Sequence, residues 1–90
     1  MASIRVIKKD VDFLVSVVIS DCWMFVYFNP GKKYEEAVEI ISEAVELRNS
    51  LYEKINRPDK ANVKKYFKSV NEELLKSVDA LFLKISALAQ

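Results

Sequence analysis

The chemically loaded residues of this chain are one acid and one base that stand where hydrophobic side chains are due. Ile7, Val11, Leu14, Val18, Asp21, Phe25 and Phe28, taken at alternating steps of four and three, form a helical seam that is apolar except at Asp21. Tyr34, Ala37, Ile41, Ala44, Arg48, Leu51 and Ile55 form a second seam that is apolar except at Arg48. A carboxylate in such surroundings costs several kcal/mol unless it is paired, hydrogen-bonded or protonated. Two chemistries are open to it. Asp21 and Arg48 could form a buried, structural charge pair, or Asp21 could serve as a general base with a raised pKa. The pair is the expectation, because a base needs a pocket and ninety residues leave little room for one.

Catalysis has little else to draw on. The chain has no histidine, the commonest general base and metal ligand. It has no glycine-rich phosphate loop and no cysteine pair at metal-binding spacing. It is therefore read as a non-enzyme with no catalytic residues, no metal site and no cofactor.

The elements that would position the two charges are helices. One glycine and two prolines starve the chain of the turns a sheet would need, while 51% of its residues are hydrophobic. The first helix is expected over about 7–28, ended by Asn29-Pro30-Gly31. The second spans about 32–56, ended by Arg57-Pro58. The third spans about 59–89, with Asp59 as its N-cap and a stripe of Val63, Phe67, Val70, Leu74, Ser77, Leu81 and Leu88. Short connections make consecutive helices antiparallel. The fold class is all-α, an up-down-up three-helix bundle in a single domain with a long third helix.

That arrangement makes a direct Asp21–Arg48 contact demanding. The Pro30 turn sets Asp21 level with about Ile41, about seven residues or 10 Å short of Arg48. A tyrosine intermediary such as Tyr27 or Tyr52, or pairing across a dimer axis, would close the gap. Separate hydrogen-bonded sites are the other solution.

Surplus apolar surface points to self-association. If the Pro58 turn sets the register, Phe82 to Leu88 overhang the Pro30 turn, exposing Phe82, Leu83, Ile85 and Leu88, unless this end folds back over that turn. Helix 1 carries a second apolar flank, Val15, Ile19, Trp23 and Val26, and only a narrow polar strip of Asp12, Ser16, Ser20 and Tyr27. A homodimer is expected, with Trp23, Phe82, Leu83, Ile85 and Leu88 as interface candidates.

The N-terminal region resembles a signal peptide in having Arg5, Lys8 and Lys9 before an apolar run, but Asp10 and Asp12 interrupt it and no small-residue cleavage site follows Ile19. The run from Phe13 to Phe28 is short for a membrane span and contains Asp21. Cys22 is the one cysteine and is expected to be a small buried hydrophobe in a reducing cytoplasm. A soluble, cytoplasmic chain without membrane contact is the expectation.

Net charge is +1, so no strong overall pull toward a polyanion exists. Its distribution is uneven. Glu35, Glu36, Glu39, Glu43 and Glu46 give helix 2 a solvated acidic face. Lys54, Arg57, Lys60, Lys64, Lys65 and Lys68 gather around the second turn, and the bundle brings Arg5, Lys8 and Lys9 to the same end. Lysines in the first turns of helix 3 oppose its dipole, so helix stability does not account for them. Lys60, Lys64, Lys65 and Lys68 are the candidates for binding an anion or nucleic acid, the alternative function.

The strings Arg5-Val6-Ile7-Lys8-Lys9-Asp10, Ile19-Ser20-Asp21-Cys22 and Glu46-Leu47-Arg48-Asn49 resemble a family of short uncharacterised all-helical proteins from Bacteroidetes. The resemblance implies a small, soluble, all-α cytoplasmic protein and supplies no activity, cofactor or catalytic residue. The function expected from the residues themselves is a helical protein-interaction module that self-associates.

Overall fold

Three helices form among the described residues, 4–58 and 60–89, in a computed structural model of the chain: α1 (Ile4–Phe28), α2 (Tyr34–Asn56) and α3 (Val63–Leu88). Each packs against the other two, giving the all-α bundle expected from the periodicity. The result is a rod 50 Å long and 18 Å across.

The core does not follow the seams read at alternating steps of four and three. In α1 the buried residues are Ile7, Val11, Val15, Val18 and Cys22, so Val15 and Cys22 replace Leu14 and Asp21. In α2 they are Ala37, Ile40, Ala44, Leu51 and Ile55, with Leu47 packed against the core where Arg48 was expected. A strict seven-residue repeat drifts by about 20° per heptad around a straight α-helix. In α1 a repeated step of four, Val11 to Val15, carries the core past Leu14 and Asp21. In α2 the alternation runs through Ile40 and Leu47 in place of Ile41 and Arg48, so Asp21 and Arg48 are turned to the edges of the buried stripe. No charged residue among the described ones is buried.

Both connections place their helix starts later than the sequence suggested. Gly31 (φ 79°) and Lys33 (φ 51°) take left-handed backbone, so α2 begins at Tyr34 rather than near Lys32. For the lysine this conformation costs about 1–2 kcal/mol. Its Nζ donates to the Leu88 carbonyl oxygen (3.3 Å), which ties the C-terminal end of α3 to the Pro30 turn. At the second connection α3 begins at Val63, and the Asn62 side chain accepts from the Lys65 backbone N–H as the N-cap. The expected cap, Asp59, lies outside the described residues. Tyr66 closes this corner by donating its hydroxyl to the Lys54 carbonyl oxygen at the end of α2 (3.0 Å).

The late start removes the expected overhang. Helix α3 has 26 residues against 23 in α2, an excess of about 4.5 Å. Leu81 and Leu88 are core residues, and Phe82 and Ile85 pack against the core. Only Leu83 of that group is widely exposed.

Candidate interaction surface

The polar candidates resolve into a clamp between α1 and α2 that leaves Asp21 out. Arg48 donates from Nε to Asp12 Oδ1 (2.9 Å), and the Tyr52 hydroxyl donates to Asp12 Oδ2 (2.7 Å). The Arg48 guanidinium also lies 4.3 Å from the centre of the Tyr52 ring, and the Lys8 ammonium lies 5.5 Å from it. The expected Asp21–Arg48 pair is thus replaced by Asp12–Arg48. Register is the reason. An antiparallel hairpin folded about the Pro30 turn sets Lys8 and Asp12, one turn apart on α1, opposite Tyr52 and Arg48, one turn apart on α2. Asp12 was readable only as part of a solvated strip until the partner helix was placed beside it.

Electrostatics follow from this geometry. The hydrogen bond from Tyr52 lowers the Asp12 pKa, aided by Arg48 and opposed by desolvation. The same bond raises the Tyr52 pKa. Asp21 is half-buried beside Cys22, where its charge adds to the effect of burial in pushing the thiol up to about 11. That thiol is fully enclosed. A thiolate is the reactive form, so this cysteine behaves as a packing residue.

Two further ion pairs fasten α2 to α3. Lys54 meets Glu73 (2.8 Å) and Lys84 meets Glu43 (2.8 Å). Glu43 therefore bridges helices rather than simply facing water, and Lys54 is drawn out of the basic cluster. Lys60, Lys64, Lys65 and Lys68 are all exposed, and no ion pair among the described residues engages them. Beside them an open depression of about 330 Å³ is lined by Ser50, Glu53, Lys54, Arg57 and Tyr66.

Exposed large hydrophobic side chains gather on the outer face of α1. Phe13, Trp23, Met24, Tyr27 and Phe28 are 65%, 48%, 56%, 77% and 70% exposed. Toward the Pro30 turn, Ser20, Trp23, Met24, Tyr27 and Phe28 line an open hollow of about 500 Å³. Tyr27 and Phe28 meet edge to face, with ring centres 5.2 Å apart. The Ser16 hydroxyl turns back to donate to the Phe13 carbonyl oxygen (2.7 Å), so its proton is committed within the helix. Of the sequence candidates for an interface, Trp23 and Leu83 are exposed. Phe82 and Ile85 are half-buried, and Leu88 is in the core. Phe13, Met24, Tyr27 and Phe28 are exposed apolar residues that were not among the sequence candidates. Phe28 had been placed in the core seam, Tyr27 in the polar strip, and the other two were not singled out.

Helix α1 is also long and apolar enough to cross a membrane, and 22% of its most apolar stretch is buried inside the bundle. Length and composition alone carry that statement; the core helix of a soluble bundle meets the same criterion. No family model matches the chain, and no curated protein or solved structure matches it either.

Proposed function

We propose that this protein is a small helical interaction module that self-associates as a homodimer through the outer face of α1. The observation that carries the reading is the row of exposed apolar side chains from Phe13 to Phe28. With about 150–250 Å² for a whole aromatic side chain, the five leave about 650 Å² uncovered on one helix. The largest contiguous apolar patch on a monomeric protein is typically about 300–600 Å². Here the exposed Ser16 and Ser20 part Phe13 from the four residues Trp23, Met24, Tyr27 and Phe28, which by themselves come to about 500 Å². Covering all five on two copies would bury about 1,300 Å², above the roughly 1,000 Å² that a specific interface needs. We take the cytoplasm as its setting, since a chain with one cysteine forms no internal disulfide.

Light scattering over a hundredfold range of concentration tests the reading. Twice the chain mass is expected for the native sequence, and the chain mass for a Phe13→Glu, Met24→Glu variant of unchanged helicity. A native monomer throughout would overturn it, and co-sedimentation of that monomer with phospholipid vesicles would assign the face to lipid instead.

A second reading rests on Lys60, Lys64, Lys65 and Lys68. Four exposed lysines at one pole, none in an ion pair among the described residues, suit a polyanion such as nucleic acid.

A further inference from the structure

The outer face of α1 places a small residue midway between two exposed aromatic ones. At about 100° per residue, Phe13, Ser16, Ser20, Trp23, Met24 and Tyr27 fall within an arc of about 100°. Ser20 lies near the middle of that arc and seven residues from both Phe13 and Tyr27. An aromatic ring therefore stands at equal distance on either side of a small residue. The hollow lies on one side only, between Ser20 and Phe28, and the prominent Phe13 lies on the other.

Resting on the self-association just described, we propose that two copies pair antiparallel along α1 about a two-fold axis at Ser20, each seating Phe13 in the other's hollow. A two-fold contact uses one patch on both copies, so it must be complementary to itself. Reversal about Ser20 sets Phe13 opposite the partner's Tyr27 and Ser16 opposite the partner's Met24. The knob thus arrives at the shallow, open hollow bordered by Trp23, Met24, Tyr27 and Phe28. At the axis, serine meets serine, which lets the helices approach to the usual 8–10 Å separation of packed helices, roughly. The Ser16 hydroxyl brings no orphaned donor to the contact, because Phe13's carbonyl oxygen already accepts from it.

Charge selects this direction over a parallel pair. One pole of the rod holds Arg5, Lys8, Lys9, Arg57, Lys60, Lys64, Lys65 and Lys68 against Asp10, Asp12 and Glu53, a net excess of base. The other holds Glu35, Glu36 and Glu39 against Lys32 and Lys33, a slight excess of acid. A parallel pair would set two basic poles side by side. The antiparallel pair sets each basic pole beside the other copy's glutamates, and like charges facing one another are a strong means of rejecting a geometry.

Oxidative cross-linking of single-cysteine replacements tests the axis, with the enclosed Cys22 left in place and the native protein as blank. Ser20→Cys on the axis is expected to give a covalent dimer on a non-reducing gel. Val6→Cys is expected to give none, because its two copies would stand about 42 Å apart. Cross-linking by V6C would show a parallel pair and overturn the proposal. So would failure of S20C to cross-link in a protein whose mass is that of a dimer, which would leave self-association standing on another face. A monomeric mass for both variants and the native chain would instead remove the self-association reading itself.

Discussion

Replacing Asp12 by alanine should destabilise the bundle by about 1 kcal/mol, far less than the 3–5 kcal/mol that breaking a buried pair typically costs. The estimate comes from exposure. Arg48 and Asp12 approach to 2.9 Å, but their side chains are 41% and 50% exposed. Double-mutant measurements on such exposed pairs give about 0.2–1 kcal/mol. The Tyr52 hydroxyl adds a short bond to the same carboxylate (2.7 Å), also in reach of water. Arg48→Ala should cost slightly more, about 1.5 kcal/mol, since it also removes the guanidinium from the Tyr52 ring, a contact of about 0.5–1 kcal/mol at exposed sites. The double variant should then lose about 0.5 kcal/mol less than the sum of the single losses. Urea unfolding followed by far-UV circular dichroism, at one protein concentration, measures all four corners. In a heat scan each kcal/mol corresponds to about 4–8 °C in a domain of this size. A loss of about 3 kcal/mol or more for Arg48→Ala would refute the reasoning, because it would mean a desolvated guanidinium. Strict additivity would equally refute it, by showing that the two charges contribute separately.

The remaining expectations concern pH, the thiol and the basic pole. Because the folded Asp12 pKa is lowered from 3.8, its contribution is present above that value and disappears as pH falls through the folded value; the wild-type and Asp12→Ala curves should converge in acid. Cys22 runs the other way: with its pKa raised from 9.0 to about 11, its contribution is intact below pH 9.0 and is lost as pH rises toward 11. A thiol reagent at pH 8 should label it only after unfolding, and rapid labelling of the native protein would show that the thiol is not enclosed. Replacing Lys60, Lys64, Lys65 and Lys68 together by glutamate should abolish any salt-sensitive binding to nucleic acid, seen by gel retardation at low and moderate salt. Unchanged binding in that variant would dismiss the basic pole as a site.

Much of the architecture was legible in the residues alone. The shortage of glycine and proline, the two Pro-centred breaks and the apolar periodicity determined an all-α bundle of three antiparallel helices, because those features act within a few residues of chain. They also determined the uneven charge of the two poles and the surplus of apolar surface on α1. Which side of each helix faces inward was decided by packing. A one-residue step around the wheel is about 100°, so choosing Val15 over Leu14 and Leu47 over Arg48 moved both suspected core charges to the edges of the buried stripe. The start of α3 at Val63 was likewise decided by its surroundings: Asn62 caps it and Tyr66 pins the corner, which draws Leu88 into the core instead of leaving it beyond the Pro30 turn. The partner of Arg48 belonged to tertiary structure for a different reason. Asp12 is 36 residues away, and only the placement of α1 against α2 makes the two neighbours.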